Sequence, residues 1–158
     1  MRLSAESHAK VEQFFREHLD EPGLNVPRIN FHGGLAGWLF GVFVGMSAIT
    51  LGRRVVVSPK LFGRDEGGRA TLPGRLVVHE VAHVLQYEER GFARFLRDYL
   101  RGYWRALREG GRWDWRGRTA AYMSIAEERA ARAAEDAFAA GRAGGEDFTL
   151  VRAVKISR

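Results

Sequence analysis

The spacing of hydrophobic residues along the chain predicts mostly helices. Residues 5–19 repeat apolar side chains at helical spacing, behind two candidate N-cap residues, Ser4 and Ser7. Thr71 and Pro73 are expected to open a second helix, which Gly91 ends. The helices that we expect after the first one cover residues 72–89, 92–107 and 121–140.

The predicted helix over residues 92–107 has two contrasting faces. Its apolar positions recur three and four residues apart and are expected to be buried; they are Phe92, Phe95, Leu96, Tyr99, Leu100, Tyr103, Trp104 and Leu107. The other face is rich in arginine, and we interpret it as solvated. Phosphate binding by Arg94, Arg97 and Arg101 is the alternative, in which nucleic acid would be a partner.

Three segments lack a helical pattern. Residues 64–74 and 110–118 contain several glycines and are expected to be loops. In the second of these loops, Trp113 and Trp115 are expected to cap the core, with a lid over a cleft as the alternative. Residues 148–157 form either a late strand or a tail.

The segment FHGGLAGWLFGVFVGMSAITL, residues 31–51, contains no acid, lysine or arginine. It is long enough to cross a bilayer. Its five glycines, however, weaken a helix in water and suit turns. We therefore interpret residues 42–57 as a β-hairpin, with Arg53 and Arg54 facing water beside inward-facing valines, and we expect no membrane span.

Composition limits what the chain can be. Its 158 residues, 46% of them hydrophobic, suffice for one core, and we expect a single domain over residues 1–158 with its core at about 25–140. Cysteine is absent, which excludes disulfides, thiol catalysis and cysteine-type zinc sites. The net charge of +6 is a weak indication of an anionic partner. Because no signal-peptide pattern opens the sequence, a cytoplasmic location is expected.

The apolar stretch VVHEVAHVLQ, residues 77–86, carries the candidate chemistry. His79 and His83 are four residues apart, so a helix presents both imidazoles to one point, as zinc requires. Glu80 lies about 100° further round the helix, where it can reach a metal-bound water and act as a base. Burying three ionisable groups is costly unless something compensates, and this favours a metal site over two structural histidines.

The third ligand must come from another part of the chain. The pattern H-E-x-x-H-x-x-G-x-x-H is excluded, because Gln86 and Glu89 stand where it needs glycine and histidine. The alanine-rich helix downstream offers three acids, Glu127, Glu128 and Glu135. Helical periodicity slightly favours Glu127 as the inward residue.

Three stretches of the sequence resemble a family of bacterial zincin-like metallopeptidase domains, some of which occur in proteins of contractile injection systems. LVVHEVAHVLQYEERG resembles the family's metal-binding helix, SAITLGRRVVVSP its preceding strand with a T-x-G element, and SIAEERAARAA its downstream E-R-x-A segment. The likeness covers about residues 30–138. The family has a proline just before its E-R-x-A segment, and Ala126 stands in its place here.

The resemblance implies a gluzincin-type Zn²⁺ site with His79, His83 and Glu128 as ligands and Glu80 as the base that activates water for peptide hydrolysis. We expect an α+β fold, in which a small antiparallel sheet or hairpin precedes the metal helix and that helix packs on two or three others. The hairpin over residues 42–57 could bind an extended peptide substrate. A zinc-binding structural or interaction module without proteolytic activity is the alternative function.

Stabilising the oxyanion of the reaction calls for a further hydrogen-bond donor. Tyr122, shortly before the predicted third ligand, is our candidate for this catalytic role, and His32 is a second candidate. A structural hydrogen bond is the alternative role for either residue.

Overall fold

A computed structural model of the chain describes residues 1–33, 48–141 and 146–152. In these residues helices and small sheets combine in an α+β fold, as predicted. The helices are α1 (Ala5–His18), α2 (Gly74–Arg90), α3 (Phe92–Glu109), α4 (Trp115–Ser124) and α5 (Ala126–Gly141). A 3₁₀ turn, Pro59–Leu61, follows the hairpin described below.

Two small sheets accompany the helices. The strands are β1 (Arg2–Leu3), β2 (Asn30–His32), β3 (Ala48–Leu51), β4 (Arg54–Val57), β5 (Gly63–Arg64), β6 (Ala70–Pro73) and β7 (Asp147–Val151). The first sheet has the order β1-β7-β6-β5 and is antiparallel throughout. The second has the order β2-β4-β3 and is mixed, because β2 runs parallel to β4. The predicted antiparallel pairing is present in both sheets, and β2 adds one parallel pair.

The β3–β4 hairpin confirms the described part of the hairpin prediction. Gly52 and Arg53 form its two-residue turn, and Gly52 has a φ of 59°, which glycine adopts at little cost. Val55 and Val57 are buried, whereas Arg53 and Arg54 are exposed. Residues 42–47 of the predicted hairpin lie outside the described residues.

No helix in residues 1–33, 48–141 or 146–152 has the length and apolar character to cross a membrane. The described ends of the segment 31–51 are strands, β2 and β3. Its middle, residues 34–47, lies outside the described residues.

The predicted loop over residues 64–74 holds only for residues 65–69, and the helix does not begin at Leu72. Residues 70–73 form β6, and Leu72 pairs with Phe148 of β7. Leu72 precedes Pro73, a position at which helical dihedral angles are disfavoured. The helix therefore begins at Gly74, one residue after the strand ends. Strand β7 also shows that the start of the segment 148–157 is a strand rather than a tail.

The predicted loop over residues 110–118 and the continuous helix over residues 121–140 are also corrected. Asp114 caps α4 by accepting a hydrogen bond of 2.8 Å from the backbone N–H of Gly117, so this helix begins within the expected loop. The extended backbone of Ile125 then separates α4 from α5. Trp113 and Trp115 are exposed and do not cap the core.

Only part of the apolar stripe on α3 is buried. Phe95 and Leu107 are covered, but Phe92, Leu100 and Trp104 are about half exposed. Helix α3 packs mainly against α4 and touches α2 through fewer residues, so two helices cannot cover the whole stripe. The expectation of a fully buried stripe is therefore wrong.

Among the described helices, the most extensive packing joins α2 to α5. Val77, Val78, Val81 and Val84 bury the apolar face of α2 in the main core. Small residues let α5 approach α2 closely, and they include Ala131 and Ala134, both buried. The candidate site is formed by the polar residues at which α2 and α5 face one another.

Candidate metal centre

Three buried side chains from α2 and α5 meet at one point. Nε2 of His79 lies 3.6 Å from Oε2 of Glu128, and Nε2 of His83 lies 3.3 Å from Oε1 of the same carboxylate. One ligand atom from each residue falls within 4.8 Å of the others. Two imidazoles and a carboxylate at such separations can hold a metal ion. We call these three residues the donor cluster.

The donor cluster contains buried polar atoms that lack hydrogen-bond partners. Among the described residues these include Nδ1 of His79 and Oε2 of Glu128. An unpaired buried carboxylate oxygen is costly. A cation held by the donor cluster would bind this oxygen and remove the cost. The three residues are therefore better suited to holding a metal ion than to pairing only with one another.

The charge of Glu128 suits a metal ligand. Burial raises the pKa of its carboxyl, but interactions with His79 and His83 outweigh burial and hold the pKa well below its usual range. Burial lowers the pKa of the His83 imidazole, whereas the carboxylates of Glu128 and Glu80 raise it, and the net shift is upward. Without metal, His83 and Glu128 therefore behave as an ion pair.

Glu80 lies beside the donor cluster and is held by the hairpin. Its Oε2 accepts a hydrogen bond of 2.6 Å from the hydroxyl of Thr50 on β3. Tyr87 in turn donates to the backbone carbonyl of Thr50 at 3.3 Å. Burial raises the pKa of Glu80, and the hydrogen bond from Thr50 and the nearby histidines offset only part of this rise. A carboxylate with a raised pKa is suited to take up a proton.

Gln86 fixes the orientation of His83. Its side-chain oxygen lies 3.0 Å from Nδ1 of His83, and its side-chain nitrogen donates to the backbone carbonyl of Glu127 at 3.1 Å. Because the amide oxygen accepts, the proton of a neutral His83 resides on Nδ1, and Nε2 is free to bind metal. Gln86 thus links the orientation of a ligand on α2 to the start of α5.

His79 has a corresponding neighbour on α5. Its Nδ1 lies 3.3 Å from Oε2 of Glu135, close enough for an ion pair but outside hydrogen-bond geometry. Glu135 is itself 3.2 Å from Nε of Arg75, one turn before His79 on α2. A carboxylate behind the metal-binding imidazole is a common arrangement in metal sites. Glu135 is therefore positioned to orient His79.

Replacing Gln86 with leucine is expected to weaken zinc binding by about 10- to 100-fold, because His83 loses the partner that sets its tautomer and orientation. Competition with a chromophoric chelator measures the affinity. Glu89→Gln is the matched control, since Glu89 lies on the same helix and is exposed. Equal affinities of Gln86→Leu and the control would refute this role of Gln86.

Two tyrosines face the third member of the donor cluster. Tyr99 on α3 donates a hydrogen bond of 2.9 Å to Oε1 of Glu128. The hydroxyl of Tyr122 on α4 faces the same carboxylate and helps to lower its pKa. Burial and the negative charge of Glu128 raise the pKa of both tyrosines, so both hydroxyls keep their protons. Each can therefore act as a donor.

The other candidates from the sequence lie elsewhere. Glu127, which helical periodicity slightly favoured as a ligand, is paired with Arg90 at 2.6 Å. His32 is exposed at the end of β2, beside the N-terminal amino group and Arg54. The structure therefore brings Glu128, and neither of these two residues, to His79 and His83.

Sequence reasoning missed several residues that position the site. Thr50 and Gln86 both lie in the stretches that resemble the zincin-like family. Thr50 is the T of T-x-G and Gln86 is the last residue of VVHEVAHVLQ, but no role followed from the sequence for either. Tyr99 was only one of several apolar and aromatic residues expected in a buried stripe, and nothing in the pattern distinguished it.

Acidification is expected to reduce any stabilisation of the fold by added zinc. Without metal, the His83–Glu128 pair stabilises the fold through two shifted pKa values. His83 has a raised pKa in the folded protein. Its contribution to the free energy of unfolding is complete below the pKa of the unfolded state and is lost as pH rises through the pKa of the folded state. The share from Glu128, whose pKa is lowered, is present above its unfolded pKa and is lost as pH falls through the folded pKa.

Zinc must displace the proton from His83 in order to bind. The stabilisation of the fold by zinc therefore grows as pH rises, whereas the contribution of protonated His83 falls. The increase in Tm on adding zinc should be large near about pH 8 and should shrink towards about pH 5. Thermal unfolding of chelator-treated and zinc-loaded protein at each pH measures it. An increase that is independent of pH would contradict histidine ligation.

No protein-family model matches the sequence, and comparisons with curated proteins and with solved structures gave no match. The donor cluster is therefore interpreted from its own geometry and chemistry. Within the described residues it is a group of three potential ligands that is wholly buried.

Proposed function

We propose that the protein is a zinc-dependent metallopeptidase, in which His79, His83 and Glu128 bind the metal and Glu80 is the general base. The observation that carries the proposal is the position of Glu80, a buried carboxylate that is held by Thr50 beside the donor cluster. Two imidazoles and one carboxylate are a typical ligand set of catalytic zinc, which keeps a further position for water. A purely structural site has no need of an adjacent base.

The chain's own residues divide the proposed chemistry between them. Bound zinc would supply a water of lowered pKa and would polarise the scissile carbonyl. Glu80 accepts the proton of the attacking water and later transfers it to the leaving amine. The hydroxyl of Thr50 holds Oε2 of Glu80, so the proton is carried by Oε1. Burial raises the pKa of Glu80, which increases its proton affinity.

The proposed substrate is an extended peptide. Among the described residues, strand β3 is at the end of the β2-β4-β3 sheet, and its Thr50 contacts Glu80. A peptide that pairs with the edge of β3 that no described strand covers would therefore pass close to the donor cluster. This arrangement would use backbone hydrogen bonds for affinity and would leave sequence preference to side-chain contacts.

The proposal is tested by incubating zinc-loaded protein with casein and with a peptide library. We expect new peptide termini by mass spectrometry, loss of cleavage with a chelator, and recovery when zinc is added back. About one zinc per chain without any cleavage would overturn the peptidase proposal and favour a structural or interaction module. Cleavage that persists in the chelator would exclude zinc chemistry.

The two tyrosines should separate in their effects. If Tyr122 donates to the oxyanion, Tyr122→Phe lowers the kcat of the zinc-saturated protein by about 10²-fold. Tyr99→Phe removes the hydrogen bond to Glu128 and should lower the zinc affinity, with kcat at saturating zinc nearly unchanged. Steady-state kinetics and a chelator competition measure the two quantities. Unchanged kcat in Tyr122→Phe would assign that hydroxyl to structure alone.

A further inference from the structure

The corner between α3 and α4 exposes large apolar side chains. Trp104 is 48% exposed, Trp113 is 56% exposed and Trp115 is 69% exposed. The ring centroids of Trp104 and Trp113 are 6.2 Å apart, so the loop tryptophan extends the apolar stripe of the helix. Leu100, one turn before Trp104 on α3, is 45% exposed and continues the stripe. We call these four residues the apolar ridge.

Arginines surround the apolar ridge. Residues 91–118 contain eight arginines and three acids, so this segment has a net charge of +5. The net charge of the whole chain is +6. Arg101 and Arg108 lie three residues before and four residues after Trp104 and therefore flank it on the helix surface. Arg94, Arg97 and Arg112 have acidic neighbours within 4.0 Å. Among the described residues, the arginines of this segment without an ion pair are Arg101, Arg105, Arg108, Arg116 and Arg118.

We propose that the apolar ridge and its arginines form a docking surface for an anionic lipid bilayer. A helix face with tryptophan and leucine beside arginine is the arrangement by which amphipathic helices lie in a membrane interface. Tryptophan rings settle at the level of the headgroups, and arginine side chains reach the lipid phosphates. The protein would bind peripherally, with α3 lying along the surface.

The charge of this surface argues for a bilayer rather than for a second copy of the chain. A twofold dimer through the apolar ridge would bring the same arginines of both copies together, which is repulsive. Single-stranded nucleic acid would be attracted by the arginines and could stack on the tryptophans, whereas the aliphatic Leu100 offers it no stacking surface. A bilayer interface accommodates aliphatic and aromatic side chains together with the charges.

The test is sedimentation of the purified full chain with vesicles of phosphatidylcholine alone or with about 30% phosphatidylserine. We expect binding to the phosphatidylserine vesicles only, with a blue shift of tryptophan fluorescence. Arg101→Gln with Arg108→Gln should lower the partition coefficient at least about tenfold. Trp113→Ser with Trp115→Ser should lower it by about the same factor and remove most of the blue shift.

Arg28→Gln with Arg152→Gln is the matched control, because it removes two exposed arginines outside this surface. Its partition coefficient should stay within about twofold of the unaltered protein. An equal loss of vesicle binding in the control would show that binding depends on the net charge of the protein and not on this surface. That result would overturn the proposal. Retention of a DNA oligonucleotide without vesicle binding, or no binding to either, would also overturn it. Circular dichroism of each variant verifies that the helices are retained.

Discussion

Replacing Glu80 with glutamine is expected to lower kcat/KM for peptide hydrolysis by about 10³- to 10⁴-fold while the protein keeps its metal. Glutamine preserves the shape of the side chain, and its amide oxygen can still accept the hydrogen bond from Thr50. It cannot take up a proton at neutral pH, so the attacking water loses its base. The zinc affinity should remain within a few-fold of the unaltered protein, since Glu80 is not among the proposed ligands.

The measurement pairs the rate of cleavage with zinc content by mass spectrometry on the same sample. Glu89→Gln is the control, because it makes the same chemical change at an exposed position of α2. A Glu80→Gln protein that turns over peptide at the rate of the control would exclude Glu80 as the base. Loss of zinc together with loss of activity would instead give Glu80 a part in metal binding.

Replacing His79 with alanine is expected to lower the zinc affinity by at least about 100-fold, because the protein loses one of three ligands. The zinc content should fall from about one per chain to almost none after dialysis. His32→Ala is the control, since His32 is an exposed histidine outside the donor cluster. Zinc that is absent from the unaltered protein, even after it is added back, would leave His79 and His83 as structural residues.

The neighbouring acids of α5 give a second test of the same site. Glu128→Gln should lose zinc as His79→Ala does, because Glu128 faces both imidazoles. Glu127→Gln should retain zinc and lose only the ion pair with Arg90. The two variants differ by one position in the chain and make the same chemical change. Equal zinc contents of both would show that Glu128 does not bind the metal.

The metal helix was predictable because its pattern is local. The apolar residues around His79 and His83 define a buried helix, and the spacing of the histidines then fixes their common face. The choice between Glu127 and Glu128 was not local. It depends on how α5 is rotated against α2, and the break at Ile125 helps to set that rotation. Periodicity within one helix contains no information about such a break.

The errors in the fold have similar causes. Residues 70–73 have strand partners in β7, more than 70 residues later, and in the two-residue β5, so no local signal identified them. Trp113 and Trp115 are large and apolar, and a single sequence does not show that no element covers them. The cap at Asp114 was readable in principle, because aspartate often precedes a helix, but the glycines around it favoured a loop.

The position of β7 in the middle of its sheet constrains the order in which the protein can fold. Arg2 of β1 pairs with Val151, so this sheet joins residues that are 149 positions apart in the chain. Such contacts close slowly, because a large loss of chain entropy precedes them. During synthesis β1 cannot form its strand pair until β7 follows, whereas α5, which precedes β7 in the chain, can meet α2 earlier. The donor cluster can therefore assemble on a nascent chain before the pair between β1 and β7 has formed.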